Sequence, residues 1–146
     1  MPVIIAIACN NPENKTANSD TTAVEETQSS ITNCYFYTSQ KDTVFLKLIR
    51  DGENVNGTLV YNYWEKDKNT GTIKGKIKNN FLIAGYTFMS EGMESVRQVV
   101  FKIENGFVTE GYGAILLNDS ANFQNINSLE FPDTMKLKGT DCDKYK

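Results

Sequence analysis

The sequence predicts an all-β domain, an antiparallel up-and-down β-barrel of about eight strands. Three observations predict it. From Cys34 to Ala114 the apolar residues recur with period two, the mark of strands with one face buried. Turn-forming pairs, above all Asn79-Asn80 and Asn105-Gly106, interrupt that alternation at hairpin spacing. Cys34 and Cys142 bracket the whole block, and a meander whose ends meet closes on itself and loses both sheet edges. A two-sheet β-sandwich is the alternative, since strand count alone does not separate the two. The 146 residues suit one domain.

The N-terminal segment comes first. Val3 to Ala8 are apolar, and Cys9 follows at once. Ala6-Ile7-Ala8-Cys9 resembles the lipobox of bacterial lipoproteins, where small residues admit a dedicated peptidase and the cysteine thiol is then diacylated. The resemblance implies that residues 1–9 are the remnant of a signal peptide and that Cys9 is lipidated. Met1-Pro2 does not supply the basic n-region of a complete signal peptide. The alternative is a free cysteine in a frayed apolar terminus. Acyl chains on Cys9 would make the lipid bilayer a partner without a spanning segment. Residues 10–33 are polar and nearly free of large apolar side chains, so they read as a flexible tether. Their four acids (Glu13, Asp20, Glu25 and Glu26) stand against Lys15 alone, which accounts for the whole formal net charge of −3. The domain, residues 34–146, is therefore neutral overall, with no electrostatic reason to bind nucleic acid.

The strands follow in order. Asp42 to Arg50 puts Val44, Leu46 and Leu48 on one face. Asp51-Gly52-Glu53-Asn54 turns the chain, and Gly57 to Trp64 carries Tyr61, Tyr63 and Trp64 on both faces. Glu65 to Thr70 is a polar loop. Gly71 to Lys78 alternates cleanly, with Ile73 and Ile77 facing one way and Lys74, Lys76 and Lys78 the other. A two-residue turn at Asn79-Asn80 sets the register with the strand Phe81 to Met89. Ile77 then opposes Leu82, Ile73 opposes Tyr86 and Gly71 opposes Phe88. Asn105-Gly106 sets a second register, pairing Ile103 with Val108, Phe101 with Glu110, Val99 with Tyr112 and Arg97 with Ala114. Its other face, with Gln98, Lys102, Glu104 and Thr109, reads as the wet one. Residues 118–128 read as a long loop or a short helical turn. Met135 to Lys138 is the last strand, lying beside the first if Cys142 bonds Cys34.

Several function classes fall away. There is no histidine, which removes Ser-His-Asp and Cys-His catalysis and His-ligated metals. No run approaches the length of a membrane-spanning helix, and no motif calls for a cofactor. Cys34 and Cys142 show no metal-ligand spacing; in an oxidising compartment they would pair. Glu91, Glu94 and Glu110 raise the question of a carboxylate-pair hydrolase, which comes last because no nucleophile and base are assembled. The stripe Lys74, Lys76 and Lys78 reads as a solvated face, or else as a patch for a protein or membrane together with Phe81 and Ile83.

The candidate site lies on the inward face of the second hairpin. Arg97, Glu110 and Tyr112 share that face with Val99, Phe101 and Ile103, and charged residues are rarely buried unless paired. Alternation adds Ser95, and the meander brings Phe88, Tyr86 and Trp64 to the same barrel end. One reading is a ligand pocket with aromatic walls and Arg97 as its anchor, since the guanidinium fork suits a carboxylate or phosphate. The other is an internal Arg–Glu network capping an apolar barrel. Arg97 and Glu110 stand about four residues apart along the ladder, roughly 13 Å, so the ladder does not secure direct contact between them.

The layout as a whole resembles the small cell-envelope lipoproteins of Bacteroidota. The features carrying it are the lipobox-like Ala6-Ile7-Ala8-Cys9, the Asn- and Thr-rich spacer, and the hairpin block from Gly71 to Gly113. The barrel is similar in outline to lipocalin-like domains and to barrel-shaped lipoprotein inhibitors of lysozyme, without an inhibitor motif. The resemblance implies a bacterial cell-envelope location, on a membrane surface facing periplasm or exterior. The expected function is non-enzymatic binding of a small amphiphilic or anionic ligand. The alternative is a protein-interaction module, an inhibitor or assembly partner, acting through the barrel-end loops.

Overall fold

The computed structural model describes residues 29–117 and 121–145. Cys9 and most of the expected tether lie outside the described residues. Eight antiparallel strands follow one another in sequence order and close into a barrel. They are β1 (Ile31–Thr38), β2 (Thr43–Asp51), β3 (Asn54–Asn62), β4 (Asn69–Lys78), β5 (Phe81–Ser90), β6 (Met93–Glu104), β7 (Phe107–Glu110) and β8 (Lys136–Thr140). Closure is made by β8 against β1, with Cys34 opposite Thr140 and Phe36 opposite Lys138. That ring removes the sandwich alternative. The domain starts before the expected boundary at 34, since Ile31, Thr32 and Asn33 already pair with Arg50, Ile49 and Leu48. Exposed polar side chains look like tether in a sequence, whereas strand pairing uses backbone groups.

The β4–β5 hairpin has the expected register, from Ile77 opposite Leu82 to Gly71 opposite Phe88. Asn79 and Asn80 take φ of 49° and 63°, as a type I′ turn requires. Glu91 and Gly92 also have positive φ. They form a two-residue turn between β5 and β6, with Ser90 opposite Met93.

The second hairpin departs from expectation. Ile103 opposes Val108 and Phe101 opposes Glu110, but β7 ends there. The pairs Val99–Tyr112 and Arg97–Ala114 do not form. The Gly111 N–H still donates to the Val100 carbonyl at 2.8 Å, after which Tyr112 exchanges two backbone bonds with Glu130, each 2.9 Å. Glycine makes the departure possible. A Cβ at Gly111 would lie 2.8 Å from the Phe131 ring, and one at Gly113 would lie 2.6 Å from a Leu129 methyl. The returning segment occupies that space, and it also packs Phe131 on Phe81 at 5.6 Å between ring centroids.

The expectation of a wet outer face holds for Lys102 and Glu104, whose exposed side chains pair at 3.1 Å, and fails at Thr109. Val100 and Thr109 point outward and are nevertheless buried. Lys74, Lys76 and Lys78 remain exposed. A second outer cluster sits on the barrel seam. Cys34 is bonded to Cys142, and Tyr145 stacks on Phe45 at 4.5 Å beside Phe36. The bond spans 108 residues of sequence, for which loop-closure entropy predicts about 4–5 kcal/mol.

The interior has two ends. The turns at 52–53, 79–80 and 105–106 share one end with the start of β1. From the middle toward that end the barrel is filled by Leu46, Leu59, Ile73, Leu82, Val99, Phe101, Val108 and Leu137, all fully buried. Each large apolar side chain contributes roughly 1.5–3 kcal/mol on burial. The other end carries the candidate site.

A tyrosine-walled cavity at the end opposite the first strand's start

Five strands deliver the site, with Asn69 from the start of β4. β6 carries Arg97, and β7 ends on Glu110. β5 contributes Tyr86 and Phe88, while β3 and the residue after it contribute Tyr61 and Tyr63. With Tyr112 and Asn69 these line a cavity of about 210 Å³. Five of its eight lining residues are aromatic. Alternation points Tyr86, Phe88 and Arg97 inward, because each shares parity with core residues such as Ala84 and Val99.

Glu110 is the hub. It is 3% exposed and accepts three hydrogen bonds. Tyr61 Oη donates to Oε1 at 2.8 Å, Tyr112 Oη to Oε2 at 3.2 Å, and Arg97 Nη2 to Oε1 at 3.5 Å. Arg97 therefore does reach Glu110, contrary to the ladder estimate. A long arginine side chain spans several ångströms along the strand, and inward side chains converge in a barrel. Arg97 remains 35% exposed, so it joins the hub to solvent. Its Cζ lies 5.2 Å from the Tyr61 ring centroid and 5.5 Å from that of Tyr86, inside cation–π range.

Burial pushes the Glu110 carboxyl above its ordinary range; Arg97 and the two tyrosine hydroxyls pull it back only in part. Burial also raises the tyrosines, with Tyr63 and Tyr86 pushed up to about 12. All the phenols are therefore hydrogen-bond donors at neutral pH, not tyrosinates. Tyr63 Oη donates to Met135 Sδ at 3.8 Å.

Tyr86 is different. Its side chain is 1% exposed, and its hydroxyl has no hydrogen-bond partner. A buried polar group left unmade costs about 1–3 kcal/mol. This hydroxyl belongs to a residue that lines the cavity. Tyr86 also stacks on Phe88, with centroids 4.7 Å apart and planes 16° from parallel.

The expected site residues divide. Arg97, Glu110, Tyr86, Phe88 and Tyr112 come together in the cavity. Ser95 stands opposite Phe88 in the ladder but does not line it. Trp64 sits outside. It is 54% exposed, its backbone N–H donates to Asp42 Oδ1 at 2.7 Å, and Lys41 Nζ lies 3.5 Å over its ring. It fastens the β3–β4 loop to the β1–β2 turn, because one step past Tyr63 reverses the facing of a side chain. Cys34 and Cys142 are bonded as expected.

Tyr61, Tyr63 and Asn69 are the lining residues that sequence reasoning did not select. The signal for the tyrosines was their shared parity with Leu59; what was missing was a reason to bring β3 across the barrel to β7. Among the described residues no cluster of three or more acids or cysteines gathers to hold a metal. Compared with known protein families, curated proteins and solved structures, the chain finds no match.

Proposed function

We propose that this domain binds a small anionic molecule in the tyrosine-walled cavity, with Arg97 as the charged anchor, and does no chemistry on it. One observation carries the reading: Tyr86, whose buried hydroxyl has no partner, lines a cavity that Arg97 opens to solvent. The filled other end of the interior leaves no room for an acyl chain. Of the two expected ligand chemistries, a compact anion suits the space and a long amphiphile does not.

The envelope location is part of the same proposal and rests on the lipobox-like residues before and at Cys9. The Cys34–Cys142 bond supports an oxidising compartment. β1 begins at the end of the barrel away from the cavity. A chain tethered at Cys9 would therefore present the cavity away from the membrane.

Native and denaturing mass spectrometry of the protein extracted gently from its own membranes tests both parts. The expected result is acyl mass on the peptide containing Cys9 and a non-covalent acid retained by the wild type, with that acid lost in Arg97→Ala. A protein free of any small molecule, with full retention of a partner protein, would overturn the ligand reading in favour of an interaction module. A specific observation keeps that second reading in view. Met93, Leu116 and Leu117 are exposed on segments at the cavity end, Leu117 at 97%.

A further inference from the structure

Resting on that reading, we infer that the cavity takes an aromatic monocarboxylate: one flat ring bearing a single carboxylate held by Arg97 and the Tyr86 hydroxyl. The argument starts from the balance of donors and acceptors. Glu110 already accepts from Tyr61, Tyr112 and Arg97, three of the about four bonds a carboxylate can take, so the site's strongest acceptor is largely used. What remains is donor capacity. Arg97 has five N–H groups; it makes a long bond of 3.5 Å to Glu110 and a contact with the Tyr61 hydroxyl, which leaves most of the fork open. Tyr86 has an O–H with no partner. A group rich in acceptors complements them, and a carboxylate matches the guanidinium fork edge to edge.

Charge sets the next limit. Glu110 lies against the same guanidinium that would hold the ligand. A dianion such as a phosphate monoester doubles its attraction to Arg97 and its repulsion from Glu110 alike, but its cost of leaving water grows with the square of its charge, about fourfold. One negative charge is the better fit.

Shape and wall chemistry set the last. At about 30 Å³ for each water-sized group, a cavity of 210 Å³ holds about seven such groups, room for one six-membered ring whose substituent lies at the solvent-exposed Arg97. Its walls are mostly aromatic, and Tyr86 and Phe88 lie nearly parallel. Flat rings gain from offset or edge contacts with such walls beyond simple area burial. A puckered ring of the same size gains area alone.

Calorimetric titration of the full chain with four probes tests this. Benzoate is expected to bind, and cyclohexanecarboxylate to bind about fivefold more weakly. Acetate, without a ring, should be weaker still, and benzamidine should not bind. Equal affinity for benzoate and cyclohexanecarboxylate would overturn the aromatic inference while leaving the anion reading intact. Binding of benzamidine alone would overturn both, because a cation would then be replacing Arg97 among the tyrosines and Glu110. Failure of every probe would also overturn both. Arg97→Lys keeps the charge but loses the fork, and should weaken benzoate by about tenfold. Tyr86→Phe removes only the hydroxyl and should weaken it by about fivefold. Unchanged benzoate affinity in a folded Tyr86→Phe protein would place the acid elsewhere and overturn the inference.

Discussion

At one end of the barrel the inward side chains are Leu48, Val55, Leu82, Phe101 and Val108; at the other they are Tyr61, Tyr86, Arg97 and Glu110. The same strands supply both, with the same alternation. The first end is filled by apolar contact. The second leaves a cavity, holds an ion pair out of full solvent and strands a hydroxyl without a partner. Such local costs persist where function needs them, and a protein that tolerates them has stability to spare elsewhere. The difference teaches that the filled end and the disulfide seam hold the fold, while the tyrosine end is free to be specific.

Substitutions can break that comparison, beginning with the largest effect. Phe101→Ala in the filled end should cost about 3–5 kcal/mol by chemical denaturation, from lost transfer energy and the void left behind. A loss below 1 kcal/mol would mean that the filled end is not what carries stability. Replacing Cys34 and Cys142 together by Ser should cost about 2–5 kcal/mol, and reduction of the wild type should give a matching fall in midpoint.

The tyrosine end should respond in the opposite direction. Tyr86→Phe removes a buried hydroxyl that has no partner, so the ligand-free protein should gain about 1–2 kcal/mol. A destabilised Tyr86→Phe would show that the hydroxyl is satisfied after all and would remove the main support for a binding cavity.

Glu110 sharpens the comparison through pH. Its carboxyl is raised above the ordinary value of 4.5, chiefly by burial. A raised carboxyl favours the folded state when protonated. That contribution is complete below pH 4.5 and is lost as pH rises through the higher folded-state value. Wild-type stability should therefore decline over that range, and Glu110→Gln should flatten the slope. An unchanged slope in the variant would assign the titration to other groups. The smallest effect belongs to Trp64→Ala, outside the cavity, which should change stability by no more than about 0.5 kcal/mol and leave ligand binding intact.

Much of the barrel could be read before folding was considered. Asn79-Asn80 set the β4–β5 register residue by residue, and Asn105-Gly106 did the same as far as Glu110. Arg97, Tyr86, Phe88, Glu110 and Tyr112 were visible as inward residues of two neighbouring hairpins. Trp64 and Ser95 were not separable from them, since parity says which face a residue takes but not how far along the barrel axis it sits. The wet face assigned to Thr109 was wrong for a related reason. Thr109 stands between Lys102 of β6 and Lys136 of β8, and the second of these lies far along the chain with no local mark of where it folds back.

The sequence by itself determined the all-β class, the hairpin registers and the inward set, because two-residue turns and period-two patterning act over a few residues. Only the tertiary structure decided the site. Tyr61 reaches Glu110 across 49 residues of sequence, from strands that are neighbours only through the hollow of the barrel. That contact depends on closure by β1 and β8 and on the tilt of every strand between, quantities that no local pattern encodes.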